Sequence, residues 1–136
     1  MEQKDYILRE IEKIGKIIIA IQQKLFSGEG SSSASIENET IALKAKLLKE
    51  VDFDLEKFLQ FDSEASNDYL NCFKGFSIEN IEILAGFLSQ IGFSEKTDQS
   101  KKYLEKSLQL YEIINLRSKT FSFDRETKIQ AIKNAL

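Results

Sequence analysis

This chain has no histidine and one cysteine, Cys72, which leaves few routes to catalysis. Without imidazole there is no usual proton shuttle, no commonest metal ligand and no Ser-His or Cys-His nucleophile pair. Cys72 stands among aromatic residues, with Lys74 close in sequence but out of line on a helix. A reactive thiol needs a lowered pKa and access, so Cys72 reads as a buried structural residue. Gly28 and Gly30 lack the lysine of a phosphate-binding loop. Asp62–Asp68 lacks the glycine and the closing glutamate of a calcium loop. Glu79-x-x-Glu82 stands alone, whereas a helical di-metal site takes glutamates and histidines from facing helices. No cofactor and no metal is expected. Two charged groupings remain. Lys101, Lys102 and Lys106 make a basic patch suited to a carboxylate or phosphate on a partner. Asp5, Arg9, Glu12 and Lys16 form a ladder at helical spacing, each i,i+4 pair being worth about 0.2–0.5 kcal/mol. The same ladder is a candidate anchor for a partner's charged group.

The composition sets wider bounds. With 136 residues, 42% hydrophobic and 30% charged, the chain reads as one domain spanning 1–136. A net charge of −3 argues against nucleic-acid binding, whose affinity rests on neutralising phosphates. The longest wholly apolar run, Ile17–Ile21, is five residues, far short of the roughly 20 that span a bilayer, so no membrane partner is expected. Met1–Asp5 lacks the basic-then-apolar layout of a secretion signal, and one cysteine fits a reducing compartment, so the expected location is cytoplasmic.

The elements that would position these groups are helices. Proline is absent, and valine occurs once, at Val51. Strand-rich folds use proline in their turns, and long helices exclude it. The expected fold class is all-α, a compact array of five to six helices. The first runs from about Gln3 to Phe26, with Ile7, Ile11, Ile14, Ile18, Ile21 and Leu25 in one stripe. Leu8, Gly15, Ile19 and Phe26 lie in a second row beside it, a wider apolar arc than one neighbour needs. Gly15 either admits a close helix or sits on the wet side. Residues 27–35, rich in glycine and serine, read as a flexible loop. A second helix from Ser35 or Asn38 carries Ile41, Ala45, Leu48, Val51, Leu55, Phe58 and Leu59 to about Gln60, with a bend or restart near Asp52 and Asp54. Phe61–Asp68 reads as a polar connection. Tyr69, Phe73 and Phe76 would share one face of a short helix ended by Gly75. Ser77 caps the next, with Ile78, Ile81, Leu84, Ala85, Leu88 and Ile91 inward and Gly92 at its end. A fifth helix spans about Gln99 to Arg117, burying Tyr103, Leu104, Leu108, Tyr111 and Ile114, with Leu110 a further candidate. Ser122 or Asp124 caps the last, with Ile129, Ile132 and Leu136 on one side.

Ser35-Ile36-Glu37-Asn38 recurs as Ser77-Ile78-Glu79-Asn80, which either marks a helix-hairpin repeat or reflects two helix starts of similar composition. The stretch from Ile78 to about Tyr111 resembles a tetratricopeptide-type hairpin. Ile81, Leu84, Ala85 and Leu88 fit its first helix; Ser100, Ser107 and Leu108 fit its second, where small residues let the helices approach. The turn is longer than in that family, the closing proline is missing, and serine stands at both small positions of the second helix. The opening Gln3-x-Asp5-Tyr6-Ile7-x-Arg9-x-Ile11-Glu12-x-x-Gly15 is similar to that of a group of small bacterial helical proteins with such a hairpin near the C-terminus. The resemblance implies a bacterial, cytoplasmic, all-α protein and no particular activity.

Three functional readings stay open. The leading one is a non-catalytic adaptor of tetratricopeptide-like geometry that binds a protein or peptide, its surface drawn from Asp5, Arg9, Glu12, Gly15, Ile19, Lys101 and Lys102. The second is a homodimer through the first helix, along Ile7/Ile14/Ile21 or Leu8/Gly15/Ile19. The third is a histidine-free enzyme using carboxylate, lysine or tyrosine, which would need a pocket with converging carboxylates or a desolvated lysine. Ten phenylalanines and four tyrosines add one criterion: aromatics at helix junctions either plug the core or, if exposed, mark a partner site.

Overall fold

Seven helices and no strand make up the described residues, 2–26, 33–94 and 98–136, of a computed structural model. They are α1 (Glu2–Phe26), α2 (Ser33–Val51), α3 (Leu55–Phe58), α4 (Ser63–Asn71), α5 (Ile78–Ser94), α6 (Asp98–Ser118) and α7 (Phe123–Ala135). The all-α expectation holds. The most extensive pairing is α5 with α6; α1 packs on α2 and α5, and α4 and α7 pack on α6. None of the helices in the described residues is long and apolar enough to cross a membrane.

The helix count exceeds the expected five to six because the second helix does not continue to Gln60. It stops at Val51, where Asp52 turns left-handed with φ 61°. Short polar side chains tolerate that conformation. The Asp52 N–H closes on the Leu48 carbonyl at 3.1 Å, and that of Phe53 on Leu47 at 3.1 Å. Asp54 then caps α3, its carboxylate accepting from the Lys57 N–H at 3.0 Å. The interruption resets the helical phase. The row drawn backwards from Leu55 and Phe58 therefore points the wrong way in α2: Ile41, Ala45 and Leu48 are exposed, and Ile36, Thr40, Leu43 and Leu47 are buried.

Other boundaries move for local reasons. Of the loop expected at 27–35, residues 27–32 lie outside the described residues, and 33–35 belong to α2, which starts earlier than Ser35 or Asn38. The segment read as a polar connection is largely helix, since Asp62 accepts from the Ala65 N–H at 2.8 Å and caps α4. Cys72 is the C-cap of α4 and is exposed, not buried. That helix ends before Gly75.

Gly75 and Gly92 serve close packing instead of helix termination. A Cβ at Gly75 would lie 2.6 Å from Ile14 Cδ1 and 2.9 Å from the Glu10 carbonyl oxygen. One at Gly92, inside α5, would lie 2.6 Å from Leu104 Cγ. Gly15 also proves to be a close-approach residue, buried against Asn80 of α5. Asn80 Nδ2 donates to the Ile11 and Gly75 carbonyls, each at 2.8 Å, and so clamps α1 to the turn before α5. Asn80→Ala is expected to cost about 1–3 kcal/mol, because a buried carbonyl loses its donor. Urea unfolding with an unchanged m-value is the check.

The stripes of α1 and α5 hold in their main part: Ile14, Ile18, Ile21 and Leu25, and Ile81, Leu84, Ala85, Leu88 and Ile91, are buried, with Ile17 and Phe87 added, whereas Ile7 and Ile11 are half-buried and Ile78, expected inward, is exposed. Ser77 Oγ accepts from the Asn80 N–H at 3.2 Å, as a cap should. Between α5 and α6, Ser100 and Ser107 are buried, and Ser107 Oγ donates to the Ala85 carbonyl at 2.7 Å. Ser122 caps α7 by accepting from the Arg125 N–H at 3.2 Å; Ile129 and Ile132 are buried, but Leu136 is exposed. The two Ser-Ile-Glu-Asn segments differ in environment, since Ile36 is buried and Ile78 exposed, whereas Asn38 is exposed and Asn80 buried.

Candidate functional site

Phe53, just past the left-handed turn, anchors an aromatic nest. Its ring centroid lies 5.1 Å from Phe58, Tyr69 and Phe73 and 4.6 Å from Phe76. The Asp54 N–H donates to Tyr69 Oη at 2.9 Å and ties the start of α3 to α4. This nest plugs the core with aromatics from α3, α4 and their flanking turns.

Against Phe58 lies the least expected side chain of the molecule. Lys106 is 2% exposed, its Nζ 4.6 Å from the Phe58 ring centroid. It is therefore no part of a surface basic patch, and Lys101 and Lys102 alone remain exposed there. Tyr103, Lys106, Leu110 and Ile113 recur at steps of three and four, so α6 turns this lysine inward with its core residues. Nζ donates to the Phe61 carbonyl at 2.7 Å, Ser66 Oγ at 2.6 Å and Gln109 Oε1 at 2.8 Å. Among the described residues no carboxylate forms an ion pair with it. Burial pulls its pKa down to about 8, with Asp62 pulling the other way. This is the desolvated lysine that the enzyme reading called for; at neutral pH it is mainly the ammonium, whose three donated hydrogen bonds leave no lone pair for nucleophilic attack. Lys106 forms part of the wall of a cleft of about 390 Å³ between α2, α3 and α6, to which Lys44, Glu56, Lys102 and Glu105 contribute charges.

A second groove, of about 510 Å³, runs between α4 and α6. Arg117 sits in it, Nη2 donating to Asn67 Oδ1 and to Asn71 Oδ1, each at 2.8 Å. Desolvation lowers the pKa of this guanidinium. Ile113 and Leu116 give the groove its apolar side. Leu116 is 77% exposed, and a few residues on, around the α6–α7 turn, Phe121 and Phe123 are 78% and 79% exposed. The aromatic criterion thus divides the phenylalanines: those of the nest are core, and Phe93, at the end of α5, and Phe121 and Phe123 are surface.

A third cluster joins α5, α6 and α7. Arg125, buried, places Nε 3.6 Å from Glu82 Oε1 and donates from Nη1 to Asn115 Oδ1 at 2.9 Å. Tyr111 Oη is buried beside it without a hydrogen-bond partner. Burial first, then Glu82 and Asp124, push the Tyr111 hydroxyl up to about 12. Tyr111→Phe removes that unsatisfied hydroxyl and is expected to raise stability by about 1–2 kcal/mol, read from the urea midpoint.

The side chains singled out from the sequence do not converge. Asp5, Arg9 and Glu12 are exposed around a shallow depression on α1 with Leu8 and Ile11, and neither Asp5–Arg9 nor Glu12–Lys16 forms an ion pair. Gly15 is buried under Asn80 and presents no free surface, whereas Ile19 is exposed. Glu79 is exposed, and Glu82 faces Arg125. Among the described residues no group of three or more acidic or thiol side chains is placed to hold a metal ion. No family model, no curated protein and no solved structure matches this chain.

Proposed function

We propose that the chain is a non-catalytic protein-interaction module of tetratricopeptide-like geometry. Its partner is a protein segment whose apolar side chains cover the corner between α6 and α7. The observation that carries this reading is the exposure of Leu116, Phe121 and Phe123, at 77%, 78% and 79%. Large side chains so fully in water at one corner mark interaction surfaces, and aromatics dominate the energetics of such contacts. The adjoining α4–α6 groove offers polar anchors at Asn67, Asn71 and Arg117. The close α5–α6 packing through Ser107 and Gly92 supports the hairpin likeness. Assembly through the first helix is the weaker reading, because Ile14, Gly15 and Ile21 are committed to the chain's own core and leave Leu8 and Ile19 for a partner.

The test is site-specific photocrosslinking in the source cell. A photoreactive phenylalanine at 121 or 123 is expected to give one discrete adduct that a label at Lys133, exposed on α7, does not give. Equal adducts from all three positions, or none, would reject the assignment. An adduct of twice the chain's mass would identify the partner as a second copy.

A further inference from the structure

We infer that the cleft between α2, α3 and α6 is a binding site for a small anion, a carboxylate or phosphate group, held by Lys106, Lys44 and Lys102. Charges buried in proteins are paired, because an uncompensated ion loses far more solvation than neutral dipoles return. Lys106 departs from that rule. The residue is 2% exposed, and its ammonium is met by one carbonyl, one hydroxyl and one carboxamide oxygen, all neutral. Among the described residues no carboxylate forms an ion pair with it, and Asp62, exposed at the start of α4, offsets only part of the cost of burial.

A countercharge in direct contact has a place to enter. Lys106 lies in the wall of a cleft of about 390 Å³, within the range of small-molecule sites. Lys44 comes from α2 and Lys102 from one turn earlier on α6, so three lysines from two helices line one space. Gln109, partly exposed, is the adjustable partner. Its carboxamide accepts from Nζ at 2.8 Å, and a turn about its last bond presents its NH₂ to an incoming oxygen instead. Glu56 and Glu105 also border the cleft and are exposed. They select against a ligand that is anionic along its whole length and favour one acidic head with a neutral or cationic remainder. This site is separate from the α6–α7 corner and does not depend on that corner's role.

The experiment uses the full chain and two probes, inorganic phosphate and acetate, in thermal unfolding and calorimetry at constant ionic strength against chloride. Saturable stabilisation by either probe in the millimolar range, beyond that of chloride, is expected. Phosphate alone acting would indicate a phosphate ligand, and acetate acting equally a carboxylate. Lys44→Gln with Lys102→Gln is expected to weaken the interaction at least fivefold, and Lys106→Met to abolish it. No effect beyond chloride in the wild type, or an undiminished effect in Lys106→Met, would overturn the inference. Should Lys106→Met fail to fold, the Lys106 side-chain resonances of the wild type decide: a saturable shift with the probe supports the site, and unmoved resonances reject it.

Discussion

Replacing Lys106 with alanine is expected to cost about 2–5 kcal/mol, and replacing it with methionine less than about 1.5 kcal/mol. Alanine leaves a cavity where the buried lysine side chain lay, its Nζ over the Phe58 ring. Methionine refills much of that volume and removes a charge that is costly to bury. Ser66 Oγ and Gln109 Oε1 already lie 3.3 Å apart and can pair when Nζ is gone. The pH dependence separates the two effects. The folded ammonium titrates at about 8 and the unfolded one near its ordinary 10.5, so between those values the unfolded chain binds a proton that the folded chain does not. Stability from this group therefore rises with pH across that interval; below about 8 the burial penalty is fully present. Tyr111 has the opposite sign. Its contribution is intact below about 10 and is lost as pH climbs through about 12. Wild-type stability from these two groups should peak near pH 10, with Lys106→Met lacking the rise and Tyr111→Phe lacking the fall. Urea midpoints measured from neutral to strongly alkaline pH give the comparison.

The second large effect concerns glycines that look alike in sequence. Gly75→Ala and Gly92→Ala are expected to destabilise by about 1–3 kcal/mol, Gly75 towards the top of that range. At Gly75 the new Cβ meets the Glu10 carbonyl at 2.9 Å, and backbone cannot rotate away as a side chain can. At Gly92 it meets Leu104 Cγ at 2.6 Å and the Ser100 carbonyl oxygen at 3.1 Å. Gly86→Ala should do the reverse. Its Cβ would touch only Tyr111 Oη, at 3.8 Å, in a helix interior where alanine is preferred by about 0.5–1 kcal/mol. Thermal unfolding of the three single variants tests the ordering, and a uniform response would show that helix propensity rather than clearance governs these positions.

Much of the scaffold was legible because periodicity and caps are local properties. Ile14, Ile18 and Ile21 in α1, and Ile81, Leu84 and Leu88 in α5, declared themselves by spacing and Ser77 by type, while Ser122 and Asp124 were equal candidates until the hydrogen bond to the Arg125 N–H decided for Ser122. The core face of α2 was misread because both Ile41/Leu48 and Leu43/Leu47 keep a helical period, and only the break at Asp52 decides between them. The helical nature of α4 was hidden by its polar composition; an aspartate three residues before Ala65 was the available sign. The candidate sites were least visible. Lys106 sits in the row of Tyr103, Leu110 and Ile113, and a cation in an apolar row is a signal that the neighbouring Lys101 and Lys102 masked. The exposure of Phe121 and Phe123 depends on where α7 lies against α6, which no local pattern contains.

The pairing of helices also bears on how the chain assembles. Most close contacts join neighbours in sequence, α1 with α2, α5 with α6 and α6 with α7, while α1 with α5 ties ends of a long intervening stretch. Contacts between chain neighbours form with little loop-closure entropy, which favours rapid folding of helical proteins. The α5–α6 hairpin is thus expected to organise first and the α1–α2 pair to arrive as a unit. The seating of Ile14 over Gly75 under the Asn80 clamp is expected to come last. Run in reverse, the same order makes undocking of the N-terminal pair the lowest-energy partial opening, and amides of α1 should exchange with solvent well before those of α5.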